Sequence, residues 1–149
     1  MIAETTPTLG GTFDADAYKA PFTYMGGKAR VAEFVWARLG DTPNYVEPFF
    51  GSGAVLFKRP AEHEWWGLIE TVNDADGMVA NFWRAVQADP DEVAQWADWP
   101  VNENDLHARH AWLKGQREQI TSRLEGDPDW FDAKVAGWWV WATCCWIGT

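Results

Sequence analysis

Two rhythms divide the chain. In its first half, short apolar runs are cut by glycine and proline turns. In the second, apolar residues recur at the three-to-four spacing of helices over long stretches. Residues 1–17, rich in Thr, Gly and Asp, show no periodicity and read as a flexible arm. Over 29–39, Val31, Phe34, Val35 and Leu39 share one helical face; this predicts a helix buried along that face and ended by Gly40-Asp41-Thr42-Pro43. Asn44-Tyr45-Val46-Glu47-Pro48 predicts a short strand stopped by its proline. Phe49-Phe50-Gly51-Ser52-Gly53 is a tight loop, and 54–58 begins a short helix. A second strand is predicted over 65–72, with Trp66, Leu68, Ile69 and Val72 apolar. Asn73-Asp74-Ala75-Asp76 closes it ahead of a helix over 77–88. This alternation is the start of a doubly wound α/β sheet.

No strand signal follows residue 75. Asp89-Pro90-Asp91-Glu92 has the cap and the first-turn proline of a helix start, and Trp99-Pro100 ends that helix. A polar helix is expected over 104–124, a turn at Gly126-Asp127-Pro128, and an apolar helix over 130–147. The fold class is therefore α/β: a partial Rossmann-like sheet within 18–88, then a helical, Trp-rich region over 89–149.

Charge narrows the function. Lys plus Arg number 12 and Asp plus Glu 22, a formal net charge of -10. Residues 1–75 carry 10 acidic and 6 basic groups, and 76–149 carry 12 and 6. Attraction to DNA comes mainly from Lys and Arg meeting phosphates, so the charge argues against a free-standing nucleic-acid binder. Contact with DNA needs a local basic surface or one supplied from outside. A solvated acidic face is the plain reading, and carboxylates that copy phosphate spacing are the other. Of 12 tryptophans, nine lie after residue 80; they suit helix packing, with base stacking as the alternative.

The two cysteines, Cys144 and Cys145, are adjacent and would point about 100° apart on a helix, so they make poor disulfide partners and suit a reducing, cytoplasmic setting. His63, His107 and His110 lack zinc-site spacing with them, and no metal site is assigned. No apolar run approaches the roughly 18 to 20 residues of a membrane span, and the first residues have no leader pattern.

Three clusters carry candidate chemistry. Gly26-Gly27-Lys28, after Tyr24, lets backbone approach a ligand and adds a cation; alone it reads as a surface turn. Glu47-Pro48-Phe49-Phe50-Gly51-Ser52-Gly53 is a strand feeding a Gly-x-Gly turn. It lacks the third glycine and the Lys-Ser/Thr of phosphate-binding loops, and Glu47 would repel a pyrophosphate while suiting a cationic ligand. Asn73-Asp74-Ala75-Asp76 puts an acid at the end of the next strand, where ribose hydroxyls are held; the segment also reads as a cap for the helix from Gly77 onward, and the two roles do not exclude each other. A ligand with a ribose, a positive group and no phosphate fits all three. S-adenosylmethionine is such a ligand, with Glu47 toward its ammonium, Asp74 toward its ribose, and Lys28 toward its carboxylate or a neighbouring acid.

Together, Tyr24-Met25-Gly26-Gly27-Lys28, Val46-Glu47-Pro48-Phe49-Phe50-Gly51-Ser52-Gly53-Ala54-Val55 and Val72-Asn73-Asp74-Ala75-Asp76 resemble the Dam-type DNA adenine methyltransferases, over about residues 20–149. The resemblance implies a cofactor-binding set of Tyr24, Gly26, Gly27, Lys28, Glu47, Pro48, Phe49, Gly51, Gly53 and Asp74. In it Tyr24 lies against S-adenosylmethionine and Asp74 holds the ribose. Trp141-Ala142-Thr143-Cys144-Cys145-Trp146-Ile147-Gly148 is similar to the segment before the target-recognition region of phage-like members.

Such enzymes flip adenine out of the duplex and hold its amine with Asp/Asn-Pro-Pro-aromatic. The nearest match, Asp127-Pro128-Asp129-Trp130, has one proline and follows a charged helix, so it reads as a helix start and no catalytic residue is assigned. The resemblance implies that the 149 residues are the cofactor-binding portion of a site-specific, restriction–modification-like DNA methyltransferase, inactive alone. Double-stranded DNA would be its partner in the full-length enzyme. A half-sheet would also call for a complementing chain or a homo-oligomer. The alternative is a non-catalytic regulator, inhibitor or DNA mimic on the same scaffold. An RNA or small-molecule methyltransferase fits less well, because Gly-Gly-Lys precedes the glycine loop.

Overall fold

The computed structural model describes residues 19–24, 26–60 and 69–146. The arm expected over 1–17 and the start of the second strand, with Trp66 and Leu68, lie outside the described residues.

Two strands, β1 (Asn44–Glu47) and β2 (Ile69–Val72), pair in parallel, in register from Asn44↔Ile69 to Glu47↔Val72. The ladder continues past both ends: Ile69 N–H donates to the Pro43 carbonyl and Asn73 N–H to the Glu47 carbonyl, each at 2.9 Å. The helix expected over 29–39 is split into a 3-10 turn, Lys28–Arg30, and α1 (Ala32–Leu39).

The expected inner face of that helix is wrong. Val31, Phe34 and Leu39 are exposed, and Ala32 and Trp36 are buried instead. Trp36 sets the rotation. Its Nε1–H donates to the Val55 carbonyl at 2.7 Å, and its ring lies 4.9 Å from that of Tyr45. An indole with both a ring partner and an N–H partner outweighs three smaller side chains. The short helix expected over 54–58 is a single 3-10 turn, Leu56–Lys58.

The helical region follows its local signals closely. Helices α2 (Gly77–Ala88), α3 (Pro90–Ala97), α4 (Glu103–Gly126) and α5 (Ala133–Cys145) all begin on side-chain caps of one kind: Asp76, Asp89, Asn102 and Asp132 accept from the N–H of Met78, Glu92, Asp105 and Val135. α2 packs on the other three. Phe22, ahead of the sheet, inserts its ring 5.1 Å from Phe82 and 4.9 Å from Trp139. Asn81, fully buried, clamps α2 to the start of α5: its Oδ1 accepts from Asp132 N–H at 2.8 Å and its Nδ2 donates to the Asp132 carbonyl at 2.9 Å.

The turn expected at Gly126-Asp127-Pro128 is present, but the helix start read into Asp127-Pro128-Asp129-Trp130 is not there. Asp127 closes α4, its Oδ1 accepts from Asp129 N–H, and α5 begins only at Ala133. No described helix is long and apolar enough to cross a membrane.

Candidate functional site

Both strands end on the same side of the sheet, so the loops after Glu47 and Val72 emerge together. The first loop must turn sharply over Phe49-Phe50. Gly51 and Gly53 supply the turn with φ of 54° and 73°, in the left-handed region that other residues resist. A side chain on Gly51 would also meet the Tyr24 ring, whose Cδ1 stands 3.1 Å from the ideal Cβ position. Tyr24 thus stands with its ring against the loop at Gly51. Its carbonyl accepts from Gly27 N–H at 2.8 Å, which forms the Gly26-Gly27 turn.

The second loop is tied to the first through Asp74. Its Oδ2 accepts from Gly51 N–H at 2.8 Å and its Oδ1 from Asp76 N–H at 3.0 Å. The cap expected from this segment is supplied by Asp76, which leaves Asp74 to the loop. A carboxylate oxygen has two lone pairs, so each Asp74 oxygen keeps one further acceptor position.

These contacts enclose a cavity of about 230 Å³. Tyr24, Gly26, Gly27, Lys28, Phe49, Gly51 and Asp74 line it, as do Phe50, Ser52 and Ala54. Seven of the ten expected residues therefore converge. Glu47, Pro48 and Gly53 do not line it. Pro48 offers its carbonyl to the Asn73 amide at 3.3 Å, and Gly53 N–H is spent on the Phe50 carbonyl at 2.9 Å. Phe50, Ser52 and Ala54 are additions. They sit inside the loop already singled out, but the direction of each residue in a glycine turn cannot be read from period alone.

Glu47 lies behind this wall. It is 5% exposed, its Oε2 accepts from the Tyr45 hydroxyl at 2.8 Å, and its Oε1 faces the Lys28 ammonium at 3.6 Å. Burial pushes the Glu47 carboxyl above its ordinary value, against the opposing pull of the Tyr45 hydrogen bond and Lys28. Burial and the Glu47 hydrogen bond push the Tyr45 phenol up as well. Lys28 also donates to the Phe49 carbonyl, so it stands between that carbonyl and the neighbouring acid.

Two further hollows adjoin the cavity. One of about 270 Å³ lies across Asp74 and Phe50, between Val72 and α2. Another of about 630 Å³ shares Tyr24, Gly26, Gly27, Ser52 and Ala54, and runs on to Phe22, Arg30 and Cys144. Both cysteines are free thiols. No group of three or more His, Cys, Asp or Glu is placed to hold a metal among the described residues.

A family model described as D12 class N6 adenine-specific DNA methyltransferase matches residues 24–114. The chain belongs to that family. The match runs from Tyr24, through both strands and all three clusters, to Lys114 in α4, so it takes in the whole cavity wall. No curated protein and no solved structure matches this D12-class chain at a significant level. Membership of the D12 class points to adenine methylation of DNA as the general activity.

Proposed function

We propose that the cavity walled by Tyr24, Gly-Gly-Lys and the Gly51 turn binds S-adenosylmethionine, and that this D12-class chain is the cofactor-binding part of a duplex-DNA adenine methyltransferase. The observation that carries the reading is the meeting of Gly51 N–H and Asp74 Oδ2 at 2.8 Å on the wall of one cavity. It fixes an acid with spare acceptor positions beside backbone that a ligand can approach closely. The donor set fits the cofactor: acceptors for ribose hydroxyls, an aromatic face at Tyr24, no cluster of cations that would select a phosphate. Asp74 borders hollows on both sides, which suits a ribose with a larger group at each end. The cofactor, when bound, supplies an electrophilic methyl group on a sulfonium. Gly51 and Asp74 position it, Tyr24 packs against it, and the pairing of buried Glu47 with the partly exposed Lys28 keeps the loop in shape.

The 149 residues contain no Asp-Pro-Pro-aromatic sequence, and Asp127-Pro128-Asp129-Trp130 is a turn between helices. Holding a flipped adenine therefore falls outside the residues described, and the isolated chain is expected to transfer no methyl group to DNA. The exposed Val46, Ile69 and Val72 of the small sheet also support a self-associated or complemented state; a clean monomer by light scattering would count against it.

Calorimetric titration with S-adenosylmethionine tests the site. Wild-type binding, weakened about tenfold or more by Asp74→Ala and less by Asp74→Asn, which keeps an acceptor for Gly51, is the expected result. No binding by the wild type, or equal affinity in both variants, overturns it. The acid excess of the chain favours a second reading, a regulator or DNA mimic on this scaffold. The same titration separates the two, because that reading needs no cofactor.

A further inference from the structure

Arg117 sits on α4, far along the chain from the glycine loops, yet it reaches them through two side chains. Its Nη1 donates to Asp76 Oδ1 at 3.1 Å and its Nη2 to Asp76 Oδ2 at 3.4 Å. The same Asp76 Oδ2 accepts from the Tyr24 hydroxyl at 3.3 Å. Tyr24 in turn supplies the ring that closes the cavity over Gly51 and the carbonyl that holds Gly27. From this chain of contacts we infer that Arg117 is a positioning residue for the cofactor: its guanidinium fork fixes the Asp76 carboxylate, and that carboxylate fixes the Tyr24 ring against the glycine wall. The inference rests on reading that cavity as the cofactor site.

The arrangement needs a cation at this point. Asp76 N–H is bonded to Asp74, so two carboxylates stand two residues apart beside one phenol. Burial pushes the Tyr24 hydroxyl up, both carboxylates add to that, and Arg117 opposes them. Without a counter-charge, Asp76 would be driven from Asp74 and would carry the Tyr24 hydroxyl with it. The fork matters as much as the charge. Two N–H groups meeting two oxygens fix the plane of the carboxylate, which a single ammonium cannot do. Arg117 is 55% exposed, so its removal leaves no hole in the core. Asp76 is unsuitable for substitution because it also caps α2.

Two opposed effects decide the outcome. Removing Arg117 makes the site more negative, which favours a cationic ligand. It also frees Asp76 and Tyr24. The first effect is weak, because a half-exposed charge beyond contact distance is screened by water. The second costs the ligand a pre-set aromatic wall, so positioning wins.

The test is a calorimetric titration of S-adenosylmethionine into the wild type, Arg117→Ala, Arg117→Lys, Tyr24→Phe and the double variant Arg117→Ala/Tyr24→Phe, alongside thermal unfolding of each. Expected are an affinity about three- to tenfold weaker for Arg117→Ala, an intermediate value for Arg117→Lys, and no further loss when Tyr24→Phe is added to Arg117→Ala. Affinity equal to or tighter than wild type in Arg117→Ala, or losses that simply add in the double variant, would overturn the inference. A thermal shift with unchanged affinity would assign Arg117 a structural role and equally overturn it. A wild type that binds no cofactor would overturn the reading of the cavity itself, a result distinct from unchanged affinity among variants that bind.

Discussion

Around α2 to α5, thirteen buried residues form one continuous cluster; around β1 and α1 there are four, Ala32, Trp36, Tyr45 and Val55. All four residues of β2 are exposed, and Val46 and Ile69 are more than half exposed. Yet the cavity belongs to the thinly packed region. Its loops are held from across the boundary: the Trp83 indole N–H on α2 donates to the Gly51 carbonyl at 2.9 Å, Asp76 ties Tyr24 to α4, and Phe22 lies in the helical core. In this D12-class chain the helices supply the stability, and the sheet supplies the direction in which two loops leave it. Regions with few buried contacts open locally at low cost, and binding loops belong to them.

The sharpest way to break that contrast is to damage each side separately. Phe82→Ala is expected to cost about 3–5 kcal/mol and to lower the denaturant midpoint of the whole chain. Trp36→Ala should speed amide exchange in β1 and β2 while leaving the slowest amides of α2 and α5 unchanged. If both variants slow or speed the same amides equally, the two regions are one cooperative unit. Next comes Gly137, where α5 runs against α3 with no room for a side chain: an added Cβ would stand 2.7 Å from the Val93 carbonyl oxygen. Gly137→Ala is expected to cost about 1–3 kcal/mol in chemical denaturation, and a loss below a few tenths would mean the helices part easily.

Gly51→Ala acts on the other side of the contrast. Its φ of 54° and the nearby Tyr24 ring strain any side chain there, so the variant should lose cofactor affinity while global stability falls by only about 1 kcal/mol. A variant that binds normally would show that the turn does not form the wall.

Smaller still is a pH effect at Glu47. Its carboxyl is raised in the folded state by burial, so the folded chain holds that proton more tightly than the unfolded chain does. The Glu47 contribution is most favourable below the ordinary value of 4.5, declines as pH rises from there to the raised folded value, and is level above it. The stability difference between wild type and Glu47→Gln should fall across that window; a flat difference would mean the Lys28 pairing cancels the burial.

Last, Cys144 is exposed but its thiol is pushed up by burial of the sulfur and by Cys145. Its alkylation at mildly alkaline pH, followed by peptide mass spectrometry, should be slower than that of a free cysteine.

How much of this was legible varied with the range of the interactions. Asp89-Pro90 and the limits of α2 are local signals, settled by a cap and a fixed φ, and they appear where expected. The buried face of α1 was not legible, because Trp36 finds its partner in Val55, well along the chain and within a loop. For the same reason Asp127-Pro128 looks like a helix start, but the cap falls five residues later (132 − 127), where Asp132 meets Asn81. In the site, residue type and order were enough to bring Lys28, Gly51 and Asp74 to one cavity. They were not enough to tell that Glu47 would lie beneath Lys28, since inward and outward alternate along β1 and the sheet's covered face depends on Trp36. The part played by Asp76 and Arg117 depends on how α4 crosses the loops, which no local pattern encodes.

Arg109 gives the acidity of the chain a different meaning. It is 8% exposed, with the rings of Trp99, Trp138 and Trp141 all within 4.8 Å of its guanidinium carbon. Lys134 similarly rests 4.4 Å from the Trp138 ring. Cations held by indole faces are withdrawn from the outer skin of the molecule. A distant ion still feels the formal charge, but a phosphate strand brushing the helices meets a wall with fewer positive points than the residue count promises.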